Sequence, residues 1–272
     1  MRSVGRVTDV LNLRTRPPAI GIMRECITRH DADPPQSRLA WLFGMHPLRT
    51  DARAWYRGAL GERAVGRNLD EMGGEWAAIH GVPIGNRGSD IDHVVVGPSG
   101  VYTINTKRHD DARIFAGGGS IRVNGQPTQY VRNAQYEADR AARLLSAAVG
   151  YPVEVTPIVV FVDAREVRYG SKEPVVAVLT LSRLTRWLRR NPRALSSEQC
   201  AELREAAGRL STWGSALTDG MPDDQVARRF AQIDRSVSAA IFRNRMWLLG
   251  IVAGGGLIAL SAINGMLAGV LT

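Results

Sequence analysis

The chain has 272 residues, 44% of them hydrophobic, and a net charge of +9, enough to bury the core of one good-sized domain with appendages. Its two cysteines, Cys26 and Cys200, lie far apart without a CxxC pair, which suggests neither a disulfide framework nor a zinc site. The positive balance favours an anionic partner, nucleic acid or an acidic membrane surface, unless it serves only solubility.

Residues 1–49 hold RTRPP and DADPPQS with no sustained helical or strand period, and are expected to form a mostly disordered or loosely attached arm. The start lacks the apolar run of a secretory signal, so the folded part is expected in the cytosol. A helix is predicted from Thr50, with Thr50 or Asp51 as N-cap and Gly73-Gly74 as its stop. Trp55, Ala59, Leu69 and Met72 are candidates for its buried side. Glu62, taken alone, reads as a surface helix carboxylate. Residues 75–84 (EWAAIHGVPI) read as a strand running into a glycine-rich bend, GNRGSD.

Residues 92–107 (DHVVVGPSGVYTINTK) read as two strands joined at Gly97-Pro98-Ser99-Gly100. Counting outward from the turn pairs Val96 with Val101, Val94 with Thr103 and Asp92 with Asn105. Opposed residues of an antiparallel pair share a face, and Lys107, two past Asn105, shares it too. A carboxylate, a carboxamide and an ammonium thus meet at the open end of the hairpin. Lys107 and Lys172 are the only lysines among the 35 basic side chains. A compact ammonium whose pKa moves on burial, kept where arginine is otherwise used throughout, suggests a chemical reason.

Beyond the hairpin, two short strands are expected around Gly117-Gly118-Gly119, closing at an Asn124-Gly125 turn. A helix follows over 129–148, with Val131, Ala134, Ala138, Ala141, Leu144 and Leu145 as its apolar stripe. Residues 153–163 form a nearly continuous apolar run, as a central strand covered on both faces would. Residues 175–181 form another, and two helices are expected over 182–190 and 196–213. The order implies a mixed α/β sheet flanked by helices, in a domain of residues 50–218.

After a break near Gly220, Phe230, Ile233, Val237 and Ile241 recur at helical spacing, which predicts an amphipathic linker over 222–245. Residues 246–272 carry no charge and match the length of a bilayer span. Arg243 and Arg245 precede this stretch and Trp247 suits an interface. These features predict a single-pass membrane protein with its N-terminal domain cytoplasmic. The linker, or the span through Gly250, Gly254 and Gly265, could pair two copies.

Four segments carry a resemblance to a known family: GALGERAVGRNL, GSDIDHVVVGPSGVYTINTK, NGQPTQYVRNAQYEADR and VTPIVVFVD. The stretch 58–163 resembles the NERD family, the nuclease-related domain, and the second segment is the most specific. The resemblance implies a PD-(D/E)xK nuclease-like, restriction-endonuclease-like fold and a Mg²⁺- or Mn²⁺-dependent phosphodiesterase centre. By position, Asp92 matches the metal-binding aspartate, Lys107 the catalytic lysine and Glu62 the helix glutamate that helps hold the metal. The Thr106 carbonyl and the Asn105 amide oxygen could add neutral ligands. Arg108, Arg132 and Asn133 are the candidate nucleic-acid contacts.

The pattern departs from the family at Asn105, where an acidic residue is expected, and at Arg132, where a glutamine is common. Asp90 could restore the lost charge or be a loop residue. His93 alternates away from Asp92 and reads as a core histidine, and His109 as a loop residue or proton shuttle. The function expected is hydrolysis of DNA or RNA at the cytoplasmic face. The alternatives are a catalytically silent module on the same fold that binds nucleic acid or another partner, or, more plainly, a sheet edge where Lys107 neutralises Asp92.

Overall fold

The computed structural model describes residues 12–84, 90–214 and 220–270, the last part of which (253–270) is described by its backbone course alone. Its centre is a five-stranded sheet in the order β1 (Ala77–Pro83), β2 (Asp90–Gly97), β3 (Gly100–Arg108), β7 (Val155–Val162) and β9 (Ala177–Thr180). The first three strands are antiparallel, while β7 and β9 continue parallel to β3. The hairpin register is the expected one: Gly97 faces Gly100, Val96 faces Val101, Val94 faces Thr103 and His93 faces Ile104. Gly100 has φ of 135°, a conformation that requires glycine at the close of the turn.

Alternation along these strands divides the core into two layers. Val94, Val96 and Val101 pack with Ala141 and Leu145 of α4 (Tyr130–Val149) and with Leu203 of α6 (Ser197–Gly208). Val95, Tyr102, Ile104, Ile158 and Val160 pack on the other face with Val65 and Leu69 of α3 (Thr50–Asp70) and Leu184 and Leu188 of α5 (Leu181–Arg190). Covering on both faces accounts for the unbroken apolar run of β7. The expected short strands form a separate sheet rather than extending the first: β6 (Gln126–Pro127), β5 (Ser120–Val123), β4 (Arg113–Gly117) and β8 (Glu166–Tyr169). The bend at 85–89 lies outside the described residues.

Helix α3 ends as expected, with Gly73 and Gly74 both at positive φ. Its N-cap is Arg49, with Thr50 already helical. Its buried stripe runs through Ala52, Tyr56, Ala59, Glu62, Val65 and Leu69. Trp55, expected inside, stands one position off that stripe and is exposed, and Tyr56 takes the inward place.

Residues 1–11 are outside the described chain, but the rest of the expected arm is folded. Helix α1 (Ile20–Ala32) buries Ile20, Met23, Cys26 and Ile27, an i, i+3, i+6, i+7 stripe, against α3 and the long helix α7 (Asp223–Val270). On α7, Val226, Phe230, Ile233 and Val237 complete this cluster. Tyr56 stacks on Phe230 with ring centroids 5.6 Å apart and donates its hydroxyl to Asp234 Oδ1 at 2.6 Å. Arg16 and Arg24 both pair with Asp223 at the start of α7. The stripe expected to pair two copies through residues 222–245 is therefore used within the chain. Ile241, the last of the expected series, is exposed.

The expected transmembrane helix is not supported. Among the described residues, no helix is long and apolar enough to cross a membrane. The stretch from 246 is no separate segment but the continuation of α7, whose first half carries Asp223, Asp224, Arg228, Arg229 and Asp234. Its head lies against α2 (Arg38–Leu42) and the residue after it: Trp247 donates its indole N–H to the Leu42 carbonyl at 2.9 Å, and its ring sits 5.1 Å from that of Phe43. The single-pass placement with a cytoplasmic N-terminal domain rested on that span and falls with it. Gly254 and Gly265 lie where only the backbone is described.

Candidate active site at the open end of the hairpin

The β2–β3 ladder stops at His93 and Ile104, and beyond that point Asp92 reaches across to β3. Its Oδ2 accepts the Thr106 backbone N–H at 2.6 Å. This short, charge-assisted bond fixes the carboxylate where the two strands part. Asn105 and Lys107 point from β3 toward α4, as the expected register requires. Asn105 Nδ2 donates to Glu137 Oε1 at 2.7 Å, and the Lys107 ammonium lies 5.3 Å from the centroid of the Tyr130 ring. Among the described residues Lys107 makes no ion pair, so it does not neutralise Asp92 by direct contact.

Glu62 arrives from the opposite layer. It is buried rather than on the surface, and its Oε1 accepts the backbone N–H of Ala19 at 3.1 Å. Ala19 is the N-cap of α1 at φ of 67°, so the carboxylate sits against the positive end of that helix. Asp90 faces Pro83 of β1, and its side chain abuts Gly21 so closely that a Cβ there would stand 2.9 Å from Oδ2. Gly21, Glu62, Asp90 and Asp92 line a cavity of about 270 Å³ between α1 and the sheet.

The electrostatics are those of crowded carboxylates. Burial, then the charge of Asp92, drives the Glu62 carboxyl well above its ordinary range, against the opposing pull of the Ala19 N–H. Burial also raises Asp92, with Lys107 and the Thr106 N–H pulling it back. Asp90 is pushed up to about 6 by burial, although Arg16 opposes the shift. Glu137 is pushed up to about 8 by burial and by Asp92, with Lys107 and Asn105 acting against it. Such clustering of perturbed acids in one place is typical of functional sites.

The remaining expected residues divide. Arg108 is committed to structure: its guanidinium pairs with Asp110 at 2.9 Å and Asp163 at 2.8 Å, and its stem covers Gly61. Arg132 and Asn133 are exposed on the first turn of α4, where Arg132 bonds Gln129 Oε1. His109 pairs its Nε2 with the Tyr130 hydroxyl at 2.9 Å, outside the carboxylate cluster. His93 is fully buried with its Nδ1 2.8 Å from His80 Nδ1, and His80 Nε2 is 3.0 Å from Asp70. This is the core role expected of it.

Glu137 and Ala19 were not anticipated. A signal for Glu137 was present: it stands among Ala134, Ala138 and Ala141, a carboxylate at the margin of an alanine stripe. The Ala19 contact is made by backbone and leaves no mark in side-chain chemistry.

The donor set suits a hard divalent cation. Among the described residues no three His, Cys, Asp or Glu side chains gather closely enough to hold a metal by themselves. Mg²⁺, however, is commonly held by one or two carboxylates while keeping several waters. Oxygens are the donors here, and among the described residues Asn105 Oδ1, Thr106 Oγ1 and Glu137 Oε2 are buried without a hydrogen-bond partner. Lone pairs left open beside carboxylates can be satisfied by a hydrated cation.

Residues 57–162 match the family model NERD, described as nuclease-related domain. The matched stretch holds Glu62, Asp92, Asn105, Lys107 and Glu137, and covers less than half of the chain. No curated protein matches the sequence. Among solved structures, the small subunit (R.BspD6I2) of the heterodimeric restriction endonuclease R.BspD6I is similar at 11% identity, covering 80% of this chain and 97% of that one. Its TM-score of 0.22 is too low for the superposition to carry an argument.

Proposed function

We propose, from the match of residues 57–162 to the nuclease-related domain model, that the chain is a metal-dependent phosphodiesterase acting on nucleic acid. The observation that carries the reading is the meeting of Glu62 and Asp92, from two different layers, at the end of the hairpin that also bears Lys107. Asp92, held by the Thr106 N–H, keeps its second oxygen for a cation, and Glu62 does the same beyond its bond to Ala19. Asn105 adds a neutral amide oxygen, and the Thr106 carbonyl can add another. Bound Mg²⁺ or Mn²⁺ would supply Lewis-acid charge against the scissile phosphate and lower the pKa of a coordinated water. Lys107, free of ion pairs among the described residues, places its ammonium where it can orient the attacking water and offset charge building on the phosphoryl oxygens. Arg132 and Asn133 offer exposed polar groups to the backbone of the substrate, and the positive balance of the chain supports the same class of partner.

The test is cleavage of labelled single- and double-stranded DNA and RNA by the full chain in Mg²⁺, Mn²⁺ or chelator. Metal-dependent cleavage is expected, with Asp92→Asn and Lys107→Ala each losing about 100-fold or more, the scale on which single electrostatic groups act. Two features favour a second reading, a silent binding module: the neutral Asn105 and the engagement of Glu62 by α1. That reading predicts salt-dependent binding with no cleavage in any metal.

A further inference from the structure

Where the family pattern places an acid on β3, this chain has Asn105, but it has not lost the carboxylate from that neighbourhood. Asn105 is 6% exposed, and its amide nitrogen donates to Glu137 Oε1 at 2.7 Å, from α4 across to β3. A planar carboxamide that gives its nitrogen to one partner turns its oxygen away from it. Among the described residues that oxygen, Asn105 Oδ1, has no partner, and neither has the second oxygen of Glu137. Two buried oxygens are therefore left unanswered, an arrangement that costs stability once Glu137 ionises unless something electropositive fills it. Lys107, on the same face, is turned to the Tyr130 ring rather than to either oxygen.

Building on the reading of the site as a metal-dependent nuclease, we propose that Glu137 supplies the acidic function missing at Asn105, the pair serving with Asp92 as the α4-side wall of a divalent-cation site. The negative charge has moved by one contact, from strand to helix. The amide keeps a ligand oxygen at the strand position and, through its nitrogen, holds the helix carboxylate in place. Glu137 acts either on the cation itself or through a coordinated water, and in both cases it sets the affinity.

The test is Mn²⁺ binding to the full chain, measured by titration calorimetry and by the loss of the free-ion paramagnetic resonance signal, with no substrate present. Glu137→Gln, which keeps shape and removes charge, is expected to weaken Mn²⁺ binding about tenfold or more, the range seen when groups supporting a metal are removed. Combining it with Asn105→Asp returns an acid to the strand and is expected to recover most of that loss. Circular dichroism confirms that each variant is folded. If Glu137→Gln binds Mn²⁺ as the unaltered chain does while Asp92→Asn does not bind, the proposal is overturned and the metal-dependent reading stands. A double variant that folds but stays as weak as the single one also overturns it. If the unaltered chain binds no Mn²⁺, both the proposal and the reading beneath it fall.

Discussion

The two flanks of the carboxylate cluster are built on opposite plans. On the α3 flank, Glu62 is closed in: α1 supplies a backbone N–H to one oxygen, and the helix is itself clamped by the Tyr56, Phe230 and Ile20 cluster. On the α4 flank, Glu137 meets a single amide nitrogen and keeps an oxygen buried and unpaired. One carboxylate is held rigidly by backbone and the other by a single side-chain amide, and each keeps one oxygen for a cation. The two are thus distinguished by their partners, although both are raised chiefly by burial.

The largest effect should come from breaking the clamp. Phe230→Ala removes a fully buried ring that stacks on Tyr56, and should cost about 3–5 kcal/mol of unfolding free energy in urea titration. A loss within error of zero would mean that α1 and α7 do not hold the α3 flank.

Next is a pH effect specific to the α4 flank. Glu137 rises from an ordinary 4.5 to about 8 in the fold. A carboxyl raised by folding contributes stability fully present below its unfolded pKa, and lost as pH climbs to the folded value. Between about pH 4.5 and 8, the metal-free chain should therefore lose stability relative to Glu137→Gln, on the order of 5 kcal/mol. Parallel urea titrations of the two proteins would show curves that diverge as pH rises, and parallel curves would contradict the burial assigned to Glu137.

A smaller contrast sharpens the same point. Glu62→Ala leaves the buried Ala19 N–H without its acceptor and should cost about 1–3 kcal/mol at pH 7. Glu137→Ala should cost less, because the partner it leaves is a side-chain amide that can turn rather than a fixed backbone N–H. The smallest effect is at Arg108, whose partners Asp110 and Asp163 are partly exposed: Arg108→Ala should cost about 1 kcal/mol. It should leave the salt dependence of nucleic-acid binding unchanged, whereas Arg132→Ala should lower that slope by about one.

What could be read from the residues depended on whether the signal was local. The hairpin was legible because the period-two pattern and the turn act over neighbouring residues, and Val96 meets Val101 as counted. The alanine-rich stripe of α4 was legible for the same reason. Helix α1 was hidden by its surroundings: its stripe through Ile20, Met23 and Ile27 lies between proline-rich stretches and is stabilised by α3 and α7, which are distant in sequence. The charge-free end of the chain satisfied a length rule, but that rule does not see Trp247 folded back on Leu42 and Phe43. Asp92, Asn105 and Lys107 could be grouped by register. The contacts of Asn105 with Glu137, and of Glu62 with Ala19, could not, because each joins elements whose relative placement is set by packing.

The central claim is that Glu62 and Asp92 hold a divalent cation beside Lys107. Anomalous diffraction from crystals of the full chain soaked in Mn²⁺ tests it most directly. The account predicts one peak coordinated by Asp92 and Glu62 on the side of Asn105, absent in Asp92→Asn. Crystals with no Mn²⁺ at those carboxylates, or with the ion bound only elsewhere, would contradict it.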